Sequence, residues 1–208
     1  MNNHSSERLY LYPLWIRIWH MINAVLCLIL IITGLSIQFS NPSVVVKFKT
    51  AISVHNIAGV LLAINYIAFF IGNLFTTNGH HYIMPVRGFF KRLIIQIRYY
   101  TIGIFKKENP PFPITPDQKF NPLQQFTYVA TMYLLVPLIV LSGFGLLYPE
   151  MTLKSLLGAS GLELTDFLHV TVGFFITLFM CIHIYFCTIG KTPASNFKSM
   201  INGFHESH

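Results

Sequence analysis

The stretch from Thr165 to Ile189, TDFLHVTVGFFITLFMCIHIYFCTI, decides the fold. It is apolar over a length sufficient for a membrane helix, which needs about 20 such residues. Two histidines, His169 and His183, lie inside it. An ionisable side chain in hydrocarbon is costly, from ~3 kcal/mol upward for a full charge, so each imidazole calls for a partner or a ligand. Fourteen residues separate the two, which at helical rise and pitch is ~21 Å and close to a whole number of turns. They therefore occupy nearly one face of a helix at two depths.

Three more runs have the same character: Leu14 to Phe39, Ile52 to Phe75 and Phe126 to Leu147. The chain has 208 residues, 53% hydrophobic and only 10% charged, a composition that excludes an ordinary soluble domain. The expected fold is an all-α integral membrane protein, one domain over 1–208 built on a four-transmembrane-helix bundle. Eleven of the fourteen Lys and Arg residues fall on one side of these spans, leaving Lys47, Lys49 and Lys154 on the other. The positive-inside rule then places both termini and the long central loop in the cytoplasm. The net charge of +7 follows from this topology, and no compact basic domain for nucleic acid is available.

Topology gives each histidine a depth. His20 begins the first span and His183 ends the fourth, so both lie toward the cytoplasm. His55 opens the second span and His169 the fourth, so both lie toward the outer surface. Two pairs at two depths point to two haems stacked across the bilayer, an inner one on His20 and His183 and an outer one on His55 and His169. Zinc fits less well, because the pairs are too far apart to form one four-coordinate site. With both axial positions filled by histidine, the iron has no open position for oxygen or substrate and serves electron transfer. Gly59 and Gly173 each follow a histidine by four residues, which puts them on its face, where a flat macrocycle needs clearance from the backbone. Arg17, one turn before His20, is placed to meet a propionate of the inner haem.

Between the second and third spans, Pro85 to Lys107 interleaves Phe89, Phe90, Leu93, Ile94, Ile97, Tyr100 and Ile104 with basic residues. This spacing predicts a cytoplasmic amphipathic helix lying on the lipid surface. Five prolines in Glu108 to Pro122 predict an extended link after it. Cys27, Cys181 and Cys187 all sit in apolar runs and no C-x-x-C-H occurs, so neither a disulfide framework nor covalent haem attachment is supported. His80 and His81 lie in the loop, outside the hydrocarbon. Paired carboxylates or a nucleophile and base for hydrolytic chemistry are not found.

The chain resembles the cytochrome b subunits of membrane-bound formate dehydrogenase, nickel-iron hydrogenase and thiosulfate reductase, the last type most. The resemblance rests on Pro13-Leu-Trp-Ile-Arg-Ile-Trp-His20, Ser53-Val-His-Asn56, Lys119-Phe-Asn-Pro-Leu-Gln124 and the His169 and His183 pair. It implies two haem b groups on the four histidines, and menaquinone or ubiquinone handled beside the cytoplasmic haem near Asn121, Gln124 and Gln125. It also implies an extracytoplasmic iron-sulfur or multihaem cytochrome c partner and a place in the bacterial cytoplasmic (inner) membrane as the electron-transfer subunit of an oxidoreductase. The competing expectation is a haem-free transporter or scaffold with histidines in a proton path, although the acidic residues such a path uses occur only at an outer edge, as Glu163 and Asp166.

Overall fold

The computed structural model describes residues 8–39, 46–156, 158–190 and 192–206. In chain order these form β1 (Arg8–Tyr10), α1 (Leu14–Phe39), α2 (Phe48–Phe75), a 3-10 turn (Thr77–Tyr82), α3 (Phe89–Arg98) and a π-turn (Tyr99–Gly103). There follow α4 (Pro122–Ala130), a second π-turn (Thr131–Leu135), α5 (Val136–Leu147), a short 3-10 turn (Pro149–Met151) and the strands β2 (Ser155–Leu156) and β3 (Ala159–Ser160). The described chain closes with α6 (Gly161–Cys187), α7 (Ser195–Asn202) and β4 (Phe204–Glu206). The protein is an all-α membrane protein, with four stretches long and apolar enough to cross a bilayer: Leu14–Phe39, Phe48–Phe75, Pro122–Leu147 and Gly161–Cys187.

The first span has the expected bounds, and each of the other three starts one turn before its apolar run. Each extra turn mixes polar residues (Lys49 and Thr50, Gln124 and Gln125, Glu163) with apolar ones, and the backbone ladder is already in place there, as where the Ala51 amide donates to the Lys47 carbonyl at 2.8 Å. The fourth span ends at Cys187 rather than Ile189, because the amides of Thr188 and Ile189 turn back to the carbonyls of Tyr185 and Phe186. Inside the third span, the widened turn Thr131–Leu135 comes just before Pro137. Proline lacks the amide the ladder needs and its ring crowds the carbonyl four residues back, so the helix opens there.

The described residues divide into two compact units. One holds those up to Arg17, Gly72–Thr131 and those from Ile182 on; the other holds Ile18–Ile71 and Met132–Cys181. In the second unit, Leu26, Ala58 and Leu62 form a buried cluster against Cys27, Ile29 and Leu30. Trp19 stacks on fully buried Phe69 with ring centres 4.4 Å apart. Its indole donates to the Asn65 carbonyl at 3.0 Å. On the other side of α1, Ile18, Met21, Val25, Leu28, Ile32 and Leu35 are exposed at alternating three- and four-residue spacing, a stripe that suits acyl chains rather than water.

In the first unit, β1 and β4 pair antiparallel, Tyr10 opposite Phe204. Gly203 makes the join: its φ is +87°, and a Cβ there would lie 2.7 Å from the Tyr10 ring and 2.8 Å from the Tyr12 carbonyl, so no larger residue fits. The helix expected between the second and third spans is present as α3, shorter than Pro85 to Lys107. Phe90, Ile94 and Ile97 are exposed along one side while Gln96 is buried, and Phe89 packs on Phe126 of α4 with ring centres 5.7 Å apart.

Candidate functional site

His55 in the first turns of α2 and His169 in the first turns of α6 face one another in the second unit, ring centres 6.2 Å apart and planes at 71°. Each imidazole Nδ1 meets a hydroxyl from a neighbouring helix. Thr33 Oγ1 of α1 lies 2.9 Å from Nδ1 of His55; Ser142 Oγ of α5 lies 3.0 Å from Nδ1 of His169. Both hydroxyls are buried and bonded to their own helix, Thr33 donating to the Ile29 carbonyl at 2.7 Å and Ser142 to the Leu138 carbonyl at 2.7 Å.

A glycine follows each hydroxyl residue. A Cβ on Gly34 would stand 3.4 Å from Cε1 of His55, and one on Gly143 would stand 3.1 Å from Cε1 of His169. These two glycines and two hydroxyls escaped the sequence reading, although Thr33-Gly34 and Ser142-Gly143 stand out as small polar pairs in apolar runs. Around Gly59 a Cβ would meet nothing within 4 Å, and at Gly173 only Ile139 Cδ1 at 3.7 Å. Protein does not crowd either glycine one turn past its histidine.

The pair fits a bis-histidine haem. Two part-buried imidazoles that face one another across this gap, each held at Nδ1, would leave Nε2 of both to hold such a group. Among the described residues no three His, Cys, Asp or Glu side chains cluster to hold a bare metal ion. His20 stands on α1 in the second unit and His183 on α6 in the first. Around His183, the Tyr128 ring centre is 5.9 Å away and Cys187 Sγ is 3.7 Å from Nε2. Arg17 belongs to the first unit too, and its Nη1 donates to the Ile201 carbonyl at 2.6 Å.

The first unit also holds Asn121, Gln124 and Gln125. Asn121 is the N-cap of α4: its Oδ1 accepts from the amides of Leu123 and Gln124, and Gln124 Oε1 accepts from the Asn121 amide in return. This reciprocal box satisfies amides that a helix start leaves open. The Asn121 Nδ2 donates to Tyr100 Oη at 2.8 Å, and Gln125 Nε2 donates to the carbonyls of His81 and Ile83. All three side chains thus have structural partners.

Beside them is a cleft of about 340 Å³ lined by Tyr10, Leu11, Trp15, Asn78, His81 and Lys119, among others. Lys119 is only 5% exposed. Its ammonium donates to Asn78 Oδ1 at 3.0 Å and sits 5.1 Å from the Tyr12 ring centre, and Asn78 in turn donates to Asn73. Burial brings Lys119 down to about 8. His81 is lowered to about 4, first by burial and then by the charges of Lys119 and His80. At neutral pH the lysine is charged and this histidine is not.

The family described as prokaryotic cytochrome b561 matches residues 11–203. A protein of Escherichia coli (strain K12) named "Putative cytochrome YdhU" is 38% identical over 200 residues, covering 96% of this chain and 76% of that protein. No solved structure matches the chain.

Proposed function

Because the chain belongs to the prokaryotic cytochrome b561 family, we propose that it is a dihaem cytochrome passing electrons across a bacterial cytoplasmic membrane, between a quinone pool on the cytoplasmic side and an extracytoplasmic redox partner. Membership makes it a membrane cytochrome of the b type. The facing imidazoles of His55 and His169 carry the reading further. When bound, haem b would supply one-electron chemistry, and His55 and His169 would hold it. His20 and His183 are the second pair in this proposal, on the matching depths that the sequence pattern gives them, with Arg17 one turn before His20 as a cationic neighbour.

Quinone chemistry needs a slot for a flat ring, donors for its carbonyl oxygens and groups that exchange protons. The cleft at Lys119 has these properties. Tyr10, Trp15 and Leu11 supply apolar walls, while charged Lys119 donates and neutral His81 accepts. Asn121, Gln124 and Gln125 enter through the family resemblance; their hydrogen bonds fix the start of α4 and the turn Thr77–Tyr82 that lines the cleft. The redox partner, an iron-sulfur or multihaem c-type subunit of the kind the thiosulfate reductase resemblance implies, would dock at the end where His55 and His169 lie.

The test is haem quantification with a reduced-minus-oxidised spectrum of the purified protein, followed by addition of a quinol. Two noncovalent b haems per chain, reduced by quinol, are expected. His55→Ala and His169→Ala should each remove one haem, and His20→Ala and His183→Ala the other. Protein free of haem under haem-replete expression, or loss patterns pairing His20 with His55, would overturn the reading.

A further inference from the structure

We infer that Thr33 and Ser142 are positioning residues for the two histidines of the outer haem, fixing each imidazole with Nδ1 protonated and Nε2 free for iron; this rests on the haem reading above. A hydroxyl has one proton to give. Thr33 spends it on the Ile29 carbonyl and Ser142 on the Leu138 carbonyl, both at 2.7 Å. With that proton on the carbonyl, each oxygen is left as an acceptor toward the ring nitrogen, which assigns the hydrogen to the Nδ1 at 2.9 Å or 3.0 Å. Hydrogen bonds of the same imidazoles to the Leu30 and Ile139 backbone agree with a protonated ring nitrogen on that side. A neutral imidazole with its proton on Nδ1 has its lone pair on Nε2. That is the tautomer a ligand pair needs, and it is set on both sides before any metal arrives.

The two sides repeat the same construction from unrelated stretches. In each, a hydroxyl residue late in one span precedes a glycine, and the next span begins with the histidine that packs on both. The hydroxyl holds the ring by one nitrogen, and Cε1 lies over the glycine, where an added Cβ would be tight at Gly143 (3.1 Å) and in ordinary contact at Gly34 (3.4 Å). The hydrogen bond at Nδ1 opposes rotation of the ring about its χ2. Outer partners of ligating histidines orient the ring and raise its basicity, and losing one costs ~10- to 100-fold in metal affinity. A more basic imidazole favours ferric over ferrous iron, so these hydroxyls hold the potential of this haem down.

The experiment is an optical redox titration with haem content on Thr33→Val, Ser142→Ala, Thr33→Ser and Ser142→Thr in the full chain. In Thr33→Val and Ser142→Ala one haem should rise in potential, by the equivalent of a roughly tenfold change in ferric preference, about 59 mV for one electron. The other haem should not move, and Thr33→Ser and Ser142→Thr should keep the wild-type value. Full haem with unchanged potentials in Thr33→Val and Ser142→Ala would overturn the inference. Should Thr33→Val lose the haem, retention in Thr33→Ser at the wild-type potential supports the hydroxyl, whereas loss in both variants assigns the effect to packing and overturns it. Absence of haem from the wild-type protein would instead sink the haem reading itself.

Discussion

His81 is bracketed by Lys119 and His80, and its fall to about 4 has a direct consequence for stability. Unfolded, it takes up a proton near 6.5; folded, only near 4. Between these values the unfolded chain binds the extra proton, so its contribution is whole above 6.5 and is lost as pH falls toward 4. Melting temperature in detergent should decline across that window, and His81→Gln should flatten the decline. At Asn121, loss of the cap in Asn121→Ala should cost about 1 kcal/mol and lower the melting temperature. Asn121→Asp keeps the acceptor and should restore it. A quinol reaction that stays slow in Asn121→Asp would assign the carboxamide a role beyond the cap, at the quinone or through its bond to Tyr100 Oη. The approach of His55 and His169 was legible because an imidazole in hydrocarbon demands an explanation. Thr33 and Ser142 were not, since a hydroxyl in a membrane helix ordinarily bonds its own carbonyl four residues back; both do, and their second bond to a distant ring leaves no mark in sequence.

Elements were legible as apolar runs and blurred at their ends. Hydropathy stops where polar caps begin, yet Asn121 and the Lys47 carbonyl already belong to helices. The opening of the helix over Thr131–Leu135 was signalled only by Pro137. How closely helices approach depends on partners the sequence does not list, and this sets an asymmetry between the two glycines. Gly143→Ala must displace a ring at 3.1 Å, whereas Gly34→Ala meets ordinary contact at 3.4 Å. The first should cost ~1–3 kcal/mol as overpacking and deplete one haem; the second should be near neutral, helped by the better helix propensity of alanine. For α3, a fluorophore at position 94 should be quenched by lipid-borne quenchers and one at 91 should not, because Ile94 lies in the exposed apolar stripe and Lys91 among the charges that meet phosphates.

Over the whole molecule, the distribution of Lys and Arg is the strongest statement about orientation. A fluorescent protein fused after the last residue should light up, since such fusions fold in the cytoplasm. An alkaline phosphatase fusion in the loop at Lys154 should be active outside; the reverse pattern would invert the proposed quinone and partner sides. The three-residue ladder between Arg8–Tyr10 and Phe204–Glu206 adds a constraint that owes nothing to charge or hydropathy. Strands that hydrogen-bond to one another must share a compartment. A path that leaves one side of a membrane at Leu11 and is back on that side by Gly203 has crossed it an even number of times. An odd tally of spans, which no reading of charge alone forbids, is incompatible with that small ladder.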